Sequence, residues 1–415
     1  MNSAYAPFRT NWKQTWWTGT TPGKYNAQQT EQSKKFDATN NNDEAVAPAT
    51  GAVKWNWAQW LIFAFTVYPL PNNGDTVELS RRAKVKYPFI PRMRQRDIHR
   101  WIFPRALGPI ALHWALYQLS FPVQQQLVDT IPLFKLILQN PSVTRILGEN
   151  ALTGLVMNPI FCFVYYGLIL KLVGIATVRM FRNIGAEVGY LDGEKQRDGL
   201  PDDSVTKIAT SLLNTTEGRT LMVTMLAWSS AAPPTIDLWT ILVKPTVFAI
   251  VLDFWFWCYH AAMHCSETLW KFHKTHHTAR HPNTLLTLWA DAEQEVFDIA
   301  VIPILTYLTM NRIPTMQLDF YSWFFCSVYI IVIEIAGHSG VRAIVTPPVA
   351  YGHLDKLNMD LIVEDHDLHH RQGWKKSGNY GKQTRIWDRL FGTCMERIES
   401  TPDKIDPVKY VEMPW

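Results

Sequence analysis

The segment Ala151–Val178 runs for 28 residues with Lys171 as its one charge. A helix needs roughly 20 apolar residues to cross a bilayer. A chain with such a stretch is therefore expected to fold around lipid. Five further apolar stretches accompany it: Trp55–Leu70, Trp101–Val123, Ile241–Tyr259, Val296–Met310 and Phe320–Gly337. Trp55–Leu70 is short for a span and fits an interfacial aromatic helix equally well. Trp101–Val123 is interrupted by Arg105, His113 and three prolines. Phe320–Gly337 contains Glu334, which costs about 3 kcal/mol in lipid unless it faces protein or water. These stretches predict an all-α integral membrane bundle of four to six segments, several short or kinked.

The rest of the composition agrees. The chain has 415 residues, of which 47% are hydrophobic, 13% aromatic and 18% charged, which excludes a disordered chain. A net charge of +4 is too balanced to suggest a nucleic-acid binder. Five cysteines, at 162, 258, 265, 326 and 394, form no CxxC spacing and suggest reduced thiols rather than a disulfide framework. Residues 81–100 hold eight Lys/Arg and one acid, Asp97, which marks a cytoplasmic side or a solvated loop. The polar stretch Arg179–Glu217 is expected to be cytosolic. No cleaved signal peptide is expected at the start of the chain. The expected organisation is a flexible polar tail over 1–53, membrane helices and polar loops over 54–239, a histidine-rich catalytic domain over 240–395 and a charged tail over 396–415.

The histidines carry the functional reading. His260 and His264 are spaced i, i+4. His273, His276 and His277 are spaced i, i+3, i+4, and His366, His369 and His370 repeat that spacing. On a helix such residues share a face, so each trio is expected to aim its imidazoles at one spot. His338, at the end of an apolar stretch, is a ninth candidate ligand. His281 and His353 are weaker ones, and His99 and His113 read as ordinary polar or core residues. One tetrahedral zinc needs four ligands, so eight or nine histidines point to two metals. HExxH is absent, and Glu-x-x-His pairs of carboxylate-bridged di-iron bundles are nearly so.

The order HxxxH, HxxHH, HSG, HxxHH resembles the fatty acid hydroxylase / sterol desaturase superfamily of membrane di-iron oxygenases. Asp253 with FWFWCYH, WKFHKTHH, and NYGKQTRIWDRLFGT (Asn379–Thr393) extend the resemblance over about residues 240–395. Two departures stand out. Ala261 follows the first His where the family usually has Arg. Asp291-Ala292-Glu293-Gln294 stands where the family often has HPxE, which offers Asp291 as a substitute ligand.

The resemblance implies a cytosol-facing helical cap holding two iron ions (Fe2+) on His260, His264, His273, His276, His277, His338, His366, His369 and His370. It implies residence in the endoplasmic reticulum membrane and electrons from NAD(P)H through a reductase and cytochrome b5, the latter expected as a separate partner. The activity implied is O2-dependent hydroxylation of a fatty acyl or related lipid C–H bond. The alternatives are a sterol desaturase or sterol methyl oxidase and, in a different class, a non-catalytic metal-binding membrane protein. Asp253, Glu364, Asp365 and Asp367 are expected to hydrogen-bond the ligands' second nitrogens. Asp388 is expected to pair with Arg389 or another arginine, or to end a helix. Phe254–Trp257 and Phe320–Phe325 are offered as walls of a substrate channel or as packing.

Overall fold

The computed structural model describes residues 57–58, 61, 76–147, 150–198, 205–347 and 354–413. The expected tail, most of Trp55–Leu70 and His353 lie outside them. Among the described residues the fold is helical. It begins with α1 (Thr76–Lys86), β1 (Ile90–Met93) and the long α2 (Gln95–Thr130), then short α3 (Pro132–Leu138), α4 (Pro141–Leu147) and α5 (Ala151–Val156). The long helices α6 (Pro159–Val188) and α7 (Val205–Trp228) follow. A π-turn, Trp239–Val243, leads into α8 (Lys244–Cys265). Then come α9 (Glu267–His273), α10 (Ala292–Val296), α11 (Ile302–Arg312), α12 (Phe320–His338), α13 (Val363–Gln372), α14 (Ile386–Phe391) and β2 (Ile405–Val411).

Three helical segments are long and apolar enough to cross a membrane: Pro159–Val188, Trp239–Cys265 and Phe320–His338. They differ in burial. On α6, Ile160, Val164, Leu168 and Leu172 are all more than half exposed. That spacing of four is one helical face, an apolar stripe suited to lipid rather than water. α12 is instead enclosed, with 83% of its apolar window buried. It contacts α2, α6, α7 and α8 on its sides and α13 near its end. Its start is fixed by a capping box, in which Asp319 Oδ1 accepts from Ser322 N at 2.8 Å and Ser322 Oγ accepts from Asp319 N at 2.9 Å.

Several expectations need correction. The prolines do not interrupt α2, which continues through Pro104, Pro109 and Pro122. Packing against neighbouring helices compensates for lost backbone bonds in such helices. The span predicted over Ala151–Val178 breaks before Asn158, whose side chain accepts from Ile160 N as Pro159 opens α6. The polar stretch Arg179–Glu217 holds the end of α6 and the first half of α7. The C-terminal tail is docked: β2 pairs in parallel with β1. Glu364 accepts from the backbone N–H groups of Ile398, Glu399 and Ser400.

Glu334 lies in the enclosed α12, and Arg219 of α7 reaches it at 2.9 Å. Both side chains are largely buried. Removing one member of such a pair leaves an uncompensated buried charge, at a cost of about 3–5 kcal/mol. Arg219→Ala is therefore expected to lower the thermal midpoint in detergent sharply, while the double change Arg219→Met, Glu334→Leu recovers most of the loss. An unchanged midpoint for the single variant would show that the pair is dispensable.

Candidate metal centre

Five elements bring the histidines together. α8 presents His260 and His264 one turn apart, near its C-terminal end. α9 stops at His273, and a separate 3-10 turn, His276–Thr278, carries His276 and His277. α12 ends on His338, and α13 carries His366, His369 and His370. All nine are at most 6% exposed. Their nitrogens form two groups: His260, His264, His273, His277 and His369 in one, and His276, His338, His366 and His370 in the other. Within each group the ligand atoms lie within 4.8 Å of one another.

Neither trio aims at one spot, contrary to the sequence expectation. The second box leaves the α-helix after His273, so His273 and His277 enter the first group and His276 the second. On α13, His366 and His370 enter the second group, while His369 enters the first. The second and third boxes thus tie the two groups together.

The hydrogen bonds set the tautomers. Nδ1 of His260 faces Tyr380 O at 2.8 Å, that of His264 Trp374 O at 3.2 Å and that of His276 Trp289 O at 2.9 Å. Nδ1 of His338 faces Glu334 O at 2.8 Å, that of His369 Gly378 O at 2.7 Å and that of His370 Ala279 O at 2.9 Å. A carbonyl only accepts, so Nδ1 carries the proton in each and Nε2 is left with a bare lone pair. These Nε2 atoms converge with those of His273 and His277. His260 and His273 are 2.9 Å apart, His369 and His277 3.0 Å, His264 and His277 3.2 Å, and His338 and His276 3.2 Å. Facing lone pairs repel unless a cation lies among them. The donor set, all imidazole nitrogen, suits a transition ion such as Fe, Cu, Ni or Zn. The residues therefore fit two metal ions.

Burial first, and neighbouring imidazoles second, hold His277, His366 and His369 well below the ordinary imidazole pKa. They stay neutral and available as ligands at neutral pH.

Most carboxylates expected around the ligands are scaffold instead. Asp253 accepts from the backbone N–H groups of Lys382, Gln383 and Thr384 at 2.7, 2.9 and 3.1 Å and from Thr384 Oγ1 at 2.7 Å. Asp388 pairs with no arginine; it accepts from Tyr380 N at 2.8 Å and Gly381 N at 2.9 Å. These two acids clamp the turn that offers the Tyr380 carbonyl to His260. A Cβ at Gly381 would stand 2.5 Å from Thr384 O and 3.0 Å from Asp388 Oδ2, so the turn closes only around glycine. Asp365 is held by Arg397 at 2.7 Å and caps α13 through Ile362 N at 2.9 Å. Asp367 is bound by Arg197 and Arg371, and Glu364 anchors the C-terminal segment. Acids on α13 thus fix the helix rather than its imidazoles.

Asp291 lies outside both groups, its carboxylate held by Lys207 at 2.7 Å. The residue missed from the sequence is Gln294, whose Oε1 meets His273 Nδ1 at 3.0 Å. Its signal was in the same DAEQ run, where Gln294 takes the place of the family's Glu. His281 stands apart, 3.7 Å from Asp192. His113 is a core residue held by Tyr321, Tyr166 and Val156 O. His99 lies beside Tyr329. The aromatic runs pack: Phe320, Phe324 and Phe325 are buried, and Trp257 stacks on Phe391.

Two outcomes follow. Asp253→Ala frees the turn behind His260, and metal affinity is expected to fall about 10–100-fold, the usual effect of losing an outer partner; metal content after dialysis against a chelator checks this. Below about pH 6.5 the unfolded chain takes up protons on these histidines while the folded chain refuses them. Stability of the metal-free protein should therefore fall as pH drops from about 7.5 to about 5.5. A flat unfolding midpoint across that range would contradict the buried, neutral assignment.

Comparison with known proteins adds to the geometry. The fatty acid hydroxylase family model matches residues 245–393. Fatty acid hydroxylase vlmA of a Lecanicillium species is 44% identical over 240 residues, 56% of this chain and 65% of that protein. Very-long-chain aldehyde decarbonylase GL1-8 of Oryza sativa subsp. indica is 28% identical over 156 residues, 37% of this chain and 53% of that protein. The chain thus matches about two thirds or less of the length of these relatives. No solved structure matches. Three histidine boxes in two nitrogen groups at the ends of apolar helices accompany these matches, and residues 245–393 are thus similar to the fatty acid hydroxylase family.

Proposed function

We propose that this chain is an O2-dependent di-iron lipid hydroxylase, acting on a fatty acyl or related lipid C–H bond. The observation that carries the reading is the pair of all-histidine groups, five and four nitrogens, at the ends of membrane helices. Tetrahedral zinc takes four ligands, and the first group exceeds that. When bound, iron supplies the dioxygen reduction and C–H oxidation. The protein supplies the rest. Backbone carbonyls hold six of the nine imidazoles in the Nδ1-protonated tautomer. Gln294, Asp253 and Asp388 hold first-group elements in place. The burial of all nine rings excludes bulk water, and the lipid-facing stripe on α6 keeps the chain beside an apolar substrate.

The electrons come, in this reading, from NAD(P)H through cytochrome b5. An open cavity of about 1450 Å3, with Arg92, Arg94, Arg96 and Arg389 in its wall, offers an acidic carrier a complementary surface. Arg385 and Arg397 in the same wall reach Asp365, the residue before ligand His366. The basic run over 81–100 supports a cytosolic face on the endoplasmic reticulum membrane.

The test uses microsomes containing the protein, with a His369→Ala, His370→Ala control, supplied with NADH, b5 reductase, cytochrome b5 and labelled O2. Wild type is expected to yield a lipid carrying one labelled oxygen, and the control none. A lipid that loses two hydrogens without label means desaturation, the sterol desaturase alternative included. Full function with zinc in place of iron would sink the oxygenase reading altogether.

A further inference from the structure

Lys382 is a cation set into the metal centre for which the scaffold has no use. Its backbone is fixed, since Lys382 N donates to Asp253 Oδ1 at 2.7 Å and the next two N–H groups go to the same carboxylate. The half-buried side chain turns inward. Its Nζ lies 4.3 Å from the Phe256 ring centroid, and that ring meets ligand His260 edge-on at 5.0 Å.

No carboxylate pairs with the ammonium among the described residues. Glu334 is held by Arg219 at 2.9 Å, and Asp298 Oδ2 accepts from Gln294 at 3.4 Å; neither carboxylate lies within ion-pair distance of Lys382. Neither nitrogen group contains a carboxylate. Two divalent ions there would carry charge that no ligand offsets, with an unpaired lysine beside them. Such a field, in a site shielded from water, draws an anion.

We propose that Lys382 is a specificity-determining residue that receives the anionic head, carboxylate or phosphate, of a single-chain lipid substrate. The inference rests on the lipid-oxidation reading above and names its substrate class. A fixed ammonium on one rigid turn suits a single charged head, and an aromatic ring beneath it suits the first methylenes of the chain.

The test is equilibrium binding to the full chain loaded with zinc, which fills the site without turnover. The probes are labelled hexadecanoic acid, hexadecyl phosphate and methyl hexadecanoate in detergent. Wild type is expected to bind at least one anionic probe about tenfold or more tighter than the ester, the scale of a charge-assisted hydrogen bond. Which one is preferred identifies the head as carboxylate or phosphate. Lys382→Met should lose that preference with ester binding and zinc content unchanged, and Lys382→Arg should keep it. Equal wild-type affinity for all probes, no binding of any, or a preference that survives in Lys382→Met overturns the proposal. Should Lys382→Met fail to hold zinc, the wild-type comparison and Lys382→Gln decide. The labelled-oxygen experiment judges lipid oxidation independently, so either reading can fail alone.

Discussion

The structure depends on bare imidazole nitrogens pointed at one another. Nε2 atoms lie about 3 Å apart, and where the ring's proton is committed to a carbonyl on the far side, as in six of the nine, the bare nitrogens repel one another without a cation. Everything around them resists that repulsion. α12 is enclosed by four helices, α13 is pinned at both ends by buried ion pairs, and the turn over 379–384 is clamped by two carboxylates. The protein spends its rigidity on holding nitrogens where a metal wants them, as a preorganised centre requires.

This division of labour explains where the acids went. Carboxylates near a histidine-rich centre invite assignment as ligands or direct partners of ligands. Here Asp253, Asp388, Asp365 and Asp367 face backbone N–H groups and arginines. Backbone carbonyls do the orienting instead. A carbonyl carries no net charge and has no side-chain freedom to lose, so it fixes a tautomer without altering the charge of the centre. The centre therefore keeps the full positive charge of whatever ions it binds, which is why the unpaired Lys382 is informative.

The two-group arrangement also accounts for the interleaving of the boxes. With His273 and His277 in one group and His276 in the other, a shift of the second box moves both groups together. The same holds for His369 against His366 and His370. Two nitrogen groups built from shared segments are held in register by the same pieces of chain.

Much of this was legible in the sequence. Apolar length marked α6, α8 and α12, because crossing a bilayer is a one-dimensional constraint that hydropathy records. The spacing of histidines pointed to eight of the nine residues in the two groups, because side chains three or four apart are neighbours on any helix, and the end of an apolar stretch pointed to His338. Spacing did not tell which nitrogens meet, since the second box leaves the helix after His273 and only the path of the chain decides the partners. Composition likewise could not place Asp253, Asp291 or Gln294, because a carboxylate reads the same whether it faces an imidazole, a lysine or an amide. The continuity of α2 through three prolines, the docking of the C-terminal segment on β1 and the Arg219–Glu334 pair were decided by tertiary packing. Each depends on a partner far away in the chain, whose approach no local pattern records.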